Sequence, residues 1–232
     1  CLFFLWAISS NLLPTMIRQL MKTCELNTFQ ASFTESAYWL AYFIFPIPIA
    51  MFLKRYSYKA GIIFGLLLAA CGGLLFFPAA ILKAYWAYLC IFFVIATGMC
   101  FLETAANPYV TILGSPETAE RRLNLAQSFN GLGAFIAAMF LSKLVLSGAS
   151  FTRDTLPAAY PGGWTAYIQS ETDAMKLPYL MLAILLIIVA VVFVFYRLPR
   201  IGDESKSPSE IKGEKLIDFS VLKHSHLRWG VI

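Results

Sequence analysis

The sequence predicts an all-α membrane protein with six spanning helices, and three observations carry that expectation. The chain is 59% hydrophobic and only 13% charged, with a mean hydropathy of +0.70. Soluble domains sit near 45–50% apolar and about 25% charged. Six segments, roughly 2–21, 29–53, 60–81, 85–112, 123–147 and 178–197, reach the length of about 20 mainly apolar residues that a spanning helix needs. The 18 Lys and Arg residues are also unevenly divided. Twelve fall on the connections after the second and fourth segments and in the tail, against six on the opposite side.

Basic residues collect on the cytoplasmic side. That division therefore puts the N-terminus and the tail in the cytoplasm and the 148–177 segment outside, as expected of a multi-pass protein of the inner (plasma) membrane. The first segment, CLFFLWAISSNLL, lacks a basic leader region and reads as a membrane helix rather than a signal peptide. The second carries Pro46 and Pro48, which read as a kink or as a bend that lets the helix line a pathway. The third carries Gly61, Gly65, Gly72 and Gly73, a small-residue pattern that permits close helix contact. Ser115-Pro116-Glu117-Thr118 reads as a capped start of a short cytoplasmic helix ending near Arg122. Residues 148–177 are Gly/Pro-rich and read as a long extracytoplasmic loop. Residues 1–198 make one bundle, 199–225 a polar cytoplasmic linker with a possible surface helix at 208–222, and 226–232 the start of a truncated seventh helix.

Several function classes are excluded. The net charge of +5 is explained by topology, so no nucleic-acid partner is expected. The five Cys show neither CxxC spacing nor a His partner, so no metal or thiol chemistry is expected. No phosphate-binding loop, HExxH or nucleophile elbow is present, and the chain is read as not an enzyme.

What stands out is Glu103, an acid inside an apolar run. Intramembrane acids are costly and mark pathways and proton relays. Glu103 lies nine residues before Ile112, about 13–14 Å from the inner end at 1.5 Å per residue. Asn130 lies seven residues past Leu123 on the returning helix, about 10–11 Å in. Glu103 and Asn107 are i,i+4, and Gln127 and Asn130 are i,i+3, so each pair shares a helix face. A carboxylate and amides at one depth supply both donors and acceptors. A polyhydroxylated solute needs that mixture; the bland alternative is polar glue between helices. The first helix adds Trp6, an aromatic face on which a sugar can stack, with Ser9, Ser10 and Asn11. Glu35 on the second helix is a further acid, at the depth of Pro14.

The runs Phe3-Phe4-Leu5-Trp6-Ala7, Phe29-Gln30-Ala31, Pro46-Ile47-Pro48, Ser57-Tyr58-Lys59-Ala60-Gly61, Leu102-Glu103-Thr104-Ala105-Ala106-Asn107-Pro108 and Arg122-Leu123-Asn124-Leu125-Ala126-Gln127-Ser128-Phe129-Asn130 resemble the L-fucose–proton symporter family of the major facilitator superfamily. The resemblance implies the N-terminal six-helix bundle of a twelve-helix fold. A C-terminal six-helix half would be its partner, the lipid bilayer its solvent and a small-molecule sugar its cargo. It implies alternating access, with a proton as coupling ion and no other cofactor. Under it, Glu103 matches the family's helix-four proton-coupling acid. Asn11, Gln127 and Asn130 match positions that face the sugar, and Trp6 matches a helix-one aromatic beside it; Asn107 falls within the same motif. The family's helix-one acid falls at Pro14, which cannot carry a proton. Glu35 stands where the family has Gln and is expected to replace that acid in part. A transporter-like sugar sensor that does not translocate is the alternative.

Overall fold

A computed structural model describes residues 2–82, 84–141, 143, 151, 154–157 and 160–196. Among these it is helical without strands. The order is α1 (Leu2–Thr23), α2 (Thr28–Ile44), α3 (Pro46–Arg55), α4 (Tyr58–Leu74), α5 (Phe76–Leu82), α6 (Tyr85–Ile112), a 3-10 turn (Pro116–Thr118), α7 (Ala119–Ile136) ending in a π turn (Ala137–Leu141), and α8 (Gly163–Phe195). Counting α2 with α3 and α4 with α5, these are the six rods expected from the sequence.

Three of the rods, Tyr58–Leu82, Tyr85–Ile112 and Gly163–Phe195, are long and apolar enough to cross a membrane, and the α2–α3 pair makes a fourth. α1 and α7 fall short of that mark. The cause is their polar side chains: Ser9, Ser10, Asn11 and Arg18 on α1, and Arg122, Asn124, Gln127 and Asn130 on α7. A helix that faces a cavity need not be apolar all round.

The kink between α2 and α3 is 43°, and α3 starts on Pro46. Proline lacks the amide that would continue the ladder of the preceding turn, so the axis bends there. The start of α2 is fixed by a capping box. Asn27 Oδ1 accepts from the Gln30 amide at 2.7 Å, and Gln30 Oε1 accepts from the Asn27 amide at 3.0 Å. The Tyr85 hydroxyl at the head of α6 then donates to the Gln30 carbonyl at 2.6 Å.

α4 packs on α6 and α8, α2 on α6, and α1 on α7 and α8. The core runs along these seams: Leu12 and Met16 of α1, Leu66 of α4, Met99 of α6 and Leu186 of α8 are fully buried. Phe76 and Tyr179 stack at 3.9 Å, with Tyr88 and Phe92 against Phe76. The glycines do what their spacing suggests. A Cβ on Gly98 would stand 2.6 Å from the Ala69 amide nitrogen and 2.7 Å from the Gly65 carbonyl, so α4 and α6 touch backbone to backbone. Large apolar side chains such as Phe43, Trp86 and Ile188 point outward, as on a surface solvated by lipid.

Two expectations are corrected. The segment expected to loop as far as residue 177 is helical from Gly163, because α8 continues through Pro178 without a break. In a long membrane helix the one hydrogen bond lost at proline is tolerated. The polar run Gln169 to Asp173 disguises this turn of helix, yet Tyr167, Ile168, Glu171, Thr172 and Met175 are buried. The chain enters it through Gly162 and Gly163 at φ +80° and +65°. The second correction concerns the short helix expected before Arg122. It is a 3-10 turn that runs directly into α7, with Pro116 at its first position as anticipated. The Ser115 hydroxyl meets the Thr118 hydroxyl at 3.2 Å instead of capping an amide. Its own backbone amide and Ser115 hold the Glu117 carboxyl below the usual carboxylate range. The 199–225 linker, the surface helix at 208–222 and the 226–232 helix start lie outside the described residues.

Candidate functional site

Two devices position α7, one against α6 and one against α1. At the turn, Arg122 folds back over the C-terminal end of α6. Its Nε donates to the Val110 carbonyl at 3.2 Å and its Nη2 to the Thr111 carbonyl at 2.8 Å. Its Nη1 donates to the Ser115 carbonyl at 3.0 Å and to the Thr118 hydroxyl. The last carbonyls of a helix lack intrahelical donors, so a cationic fork there both satisfies them and meets the negative end of the dipole. Gly114, at φ +138°, makes the turn and leaves room for the guanidinium, since a Cβ would lie 3.0 Å from Nη1. Further along, Gly133 lets α7 rest on α1: a Cβ there would lie 2.6 Å from the Phe4 carbonyl.

Between these fixings lies a small open cavity of about 80 Å³. It is lined by Leu2, Phe3 and Trp6 from α1, Leu102, Glu103, Ala106 and Asn107 from α6, and Gln127 and Asn130 from α7. Mostly apolar walls with a few convergent polar groups are the usual make-up of a small-molecule site; the volume is below the roughly 300–1,000 Å³ of a complete ligand pocket. Gln127 Nε2 donates to Asn107 Oδ1, and Asn130 Nδ2 donates to Gln127 Oε1, each at 3.4 Å. Bonds that long are weak. The three amides therefore hold one another in place while keeping most of their donors and acceptors for a guest. Glu103 is half-buried and lines this cavity. It stands where a proton or a hydroxyl could reach it.

Trp6 is held from behind. Its indole Nε1 donates to the Tyr42 hydroxyl at 2.8 Å. Tyr42 stacks on Tyr38 with centroids 5.5 Å apart, and the Tyr38 hydroxyl meets Ser10 Oγ at 3.1 Å. Five of the seven residues singled out from the sequence thus share one cavity: Trp6, Glu103, Asn107, Gln127 and Asn130. The other two do not line it. Asn11 is exposed and its Nδ2 donates to the Ala7 carbonyl of its own helix at 2.8 Å. Glu35 is exposed on α2. Pro14 sits inside an unbroken α1.

Sequence reasoning missed Arg122 as a clamp, because basic residues at a turn read first as topology. It also missed Tyr38 and Tyr42, because aromatics in an apolar helix read first as lipid-facing. Their i,i+4 spacing on the same stripe as Glu35 is the signal that could have found them. No group of three or more His, Cys, Asp and Glu able to hold a metal is present among the described residues.

A scan against protein families matches the Major Facilitator Superfamily over residues 1–232. The chain belongs to the major facilitator superfamily. It is 39% identical over 233 residues to the L-fucose-proton symporter of Escherichia coli (strain K12), covering 100% of this chain and 53% of that protein. It is 37% identical over 231 residues to the glucose/galactose transporter of Brucella abortus (strain 2308), covering 100% of this chain and 52% of that protein. Among solved structures, the crystal structure of the transporter FucP in the outward conformation superposes with a TM-score of 0.83 at 39% identity, covering 99% of this chain and 56% of that one. The chain spans about half the length of the curated relatives it matches, and it corresponds to the N-terminal half of the twelve-helix fold. In a superfamily built from two such bundles, substrate sites lie near the bilayer midplane between them.

Proposed function

We propose that the protein is a secondary active transporter that couples sugar movement to protons by alternating access. The observation that carries this reading is the cavity in which a half-buried Glu103 faces three loosely tied amides and an oriented tryptophan. In this account Glu103 loads and releases the proton. Asn107, Gln127 and Asn130 exchange their weak mutual bonds for sugar hydroxyls, and the Trp6 ring packs on a carbon face of the sugar. The names of the relatives support a hexose cargo, L-fucose in one and glucose or galactose in the other. Asn11 would complete the site from the face that a second six-helix bundle closes. Glu35 would serve as an accessory acid, since it lies on the α2 stripe of Tyr38 and Tyr42, seven residues before the latter. No cofactor beyond the coupling proton is required. Lys and Arg placement supports an inner-membrane protein with its N-terminus and central linker in the cytoplasm.

The second reading, a sugar sensor that does not translocate, is favoured by one feature. Pro14 occupies the position of the helix-one acid, so one proton carrier implied by the resemblance is missing. Counterflow in proteoliposomes separates the two readings. The full-length protein, preloaded with unlabelled L-fucose, D-galactose or D-glucose, should transiently accumulate the labelled sugar. Saturable sugar binding without counterflow would select the sensor.

A further inference from the structure

We infer that Tyr42 is a specificity-determining positioning residue: it ties up the only hydrogen-bond donor of Trp6, so that the indole meets a sugar through its ring carbons alone. This rests on the sugar-site reading of the cavity.

Indole has one donor, Nε1–H, and no acceptor. A tryptophan on the wall of a polar cavity has two ways to contact a polyol. It can turn its N–H inward and donate to a hydroxyl, or it can turn its face inward and cover a patch of C–H groups. The structure selects between them. The Trp6 N–H donates at 2.8 Å to Oη of Tyr42, which is not among the lining residues. Tyr42 is itself fixed, stacked on Tyr38 at 5.5 Å and tilted against Trp39 at 5.6 Å. Tyr38 is buried and is anchored by Ser10 Oγ at 3.1 Å, one turn along α1 from Trp6. Ser10, Tyr38 and Tyr42 thus form a rigid bracket from α1 through α2 and back to α1. The cavity's hydrogen-bonding side chains come from α6 and α7: Glu103, Asn107, Gln127 and Asn130.

The consequence is a two-sided site. One wall reads hydroxyls and the other reads an apolar patch, so orientation is set before binding. Stacking energy realised on a prefixed ring needs no ordering of that side chain at the moment of binding. Without the Tyr42 hydroxyl, the indole would be free to rotate and its N–H would compete for the hydroxyls meant for the amides.

The test is a double-mutant cycle in the full-length protein, read as KM and Vmax of counterflow. Tyr42→Phe removes one oxygen and keeps the ring packing. The expected result is a rise in KM of about tenfold, the scale of one lost hydrogen bond at a binding site, with Vmax changed less than about twofold. Trp6→Phe should raise KM by a similar factor, and Tyr42→Phe should add nothing in the Trp6→Phe background. An unchanged KM in Tyr42→Phe overturns the proposal, as do single effects that multiply in the double variant. Should Tyr42→Phe fail to fold, the same bond is cut from the other side by replacing Trp6 with 1-naphthylalanine, which keeps two fused rings but has no N–H. That variant should show the same rise in KM, and a wild-type KM overturns the proposal. If Trp6→Phe and Glu103→Gln both leave uptake of every sugar unchanged, the cavity is not the sugar site, and the reading beneath the proposal falls with it. Loss of sugar binding in Trp6→Phe, with no effect of Tyr42→Phe, removes only the proposal.

Discussion

Replacing Arg122 should loosen the hairpin that forms the site, and the size of the effect follows from its contacts. The guanidinium makes four hydrogen bonds, to the carbonyls of Val110, Thr111 and Ser115 and to the Thr118 hydroxyl. A net bond contributes about 0.5–1.5 kcal/mol, more when one partner is charged. Here the acceptors lie at a turn and the side chain is half-buried, so water recovers part of the loss and the lower end applies. Four bonds with a dipole contribution of about 0.3–1 kcal/mol then give about 2–3 kcal/mol. Arg122→Lys keeps the charge but replaces a planar five-donor fork by one flexible ammonium, so it should recover about half. Thermal unfolding of the purified full-length protein is the assay. At roughly 2–4 °C per kcal/mol, the slope for 150–250 residues, Arg122→Ala should lower Tm by about 4–12 °C, with Arg122→Lys between it and wild type. Sugar affinity should fall in the same order, because Asn107 and Gln127 are joined only by a 3.4 Å bond across this hairpin. A Tm within about 1 °C of wild type for Arg122→Ala would refute the clamp. So would a lysine variant indistinguishable from wild type, which would show that charge suffices.

Other outcomes follow from the same geometry. Gly98→Ala would drive a Cβ against backbone atoms of Ala69 and Gly65, and should cost about 1–3 kcal/mol or more; a neutral Tm would show that α4 and α6 are not in backbone contact. Gln19 is buried and its Nε2 donates to both the backbone carbonyl and the carboxylate of buried Glu171, with Lys22 3.9 Å from the same carboxylate. Gln19→Leu removes those donors and should destabilise by about 1–3 kcal/mol, while Gln19→Glu, which adds a like charge, should be worse; the reverse order in Tm would contradict this account of the α1–α8 seam. Glu35→Gln should weaken proton-driven uptake without abolishing sugar binding, and unchanged coupled uptake would remove Glu35 from the mechanism.

The sequence was most informative where physics leaves one solution. An acid such as Glu103 in an apolar run needs a reason to be there, and equal depth on two antiparallel helices was enough to pair it with Asn107, Gln127 and Asn130. The Gly pattern of α4 likewise foretold a close helix contact. Legibility failed where local composition and long-range context disagree. Gly163 to Leu177 looks like a loop because it is polar and ends in Pro178, yet the buried stripe Tyr167, Ile168, Glu171 and Met175 keeps it helical. Asn11 and Glu35 have the right chemistry for the site, but their places on α1 and α2 leave them outside the cavity within this bundle. Tyr42 could be linked to Trp6 only in three dimensions, since the two are 36 residues apart.

The central claim is that Glu103 carries the coupling proton, and sugar accumulation driven by an imposed pH gradient tests it most directly. Proteoliposomes of the full-length protein, acid outside, should concentrate labelled sugar, and Glu103→Gln should abolish that concentration while preserving counterflow. Gradient-driven accumulation by Glu103→Gln equal to wild type would contradict the account.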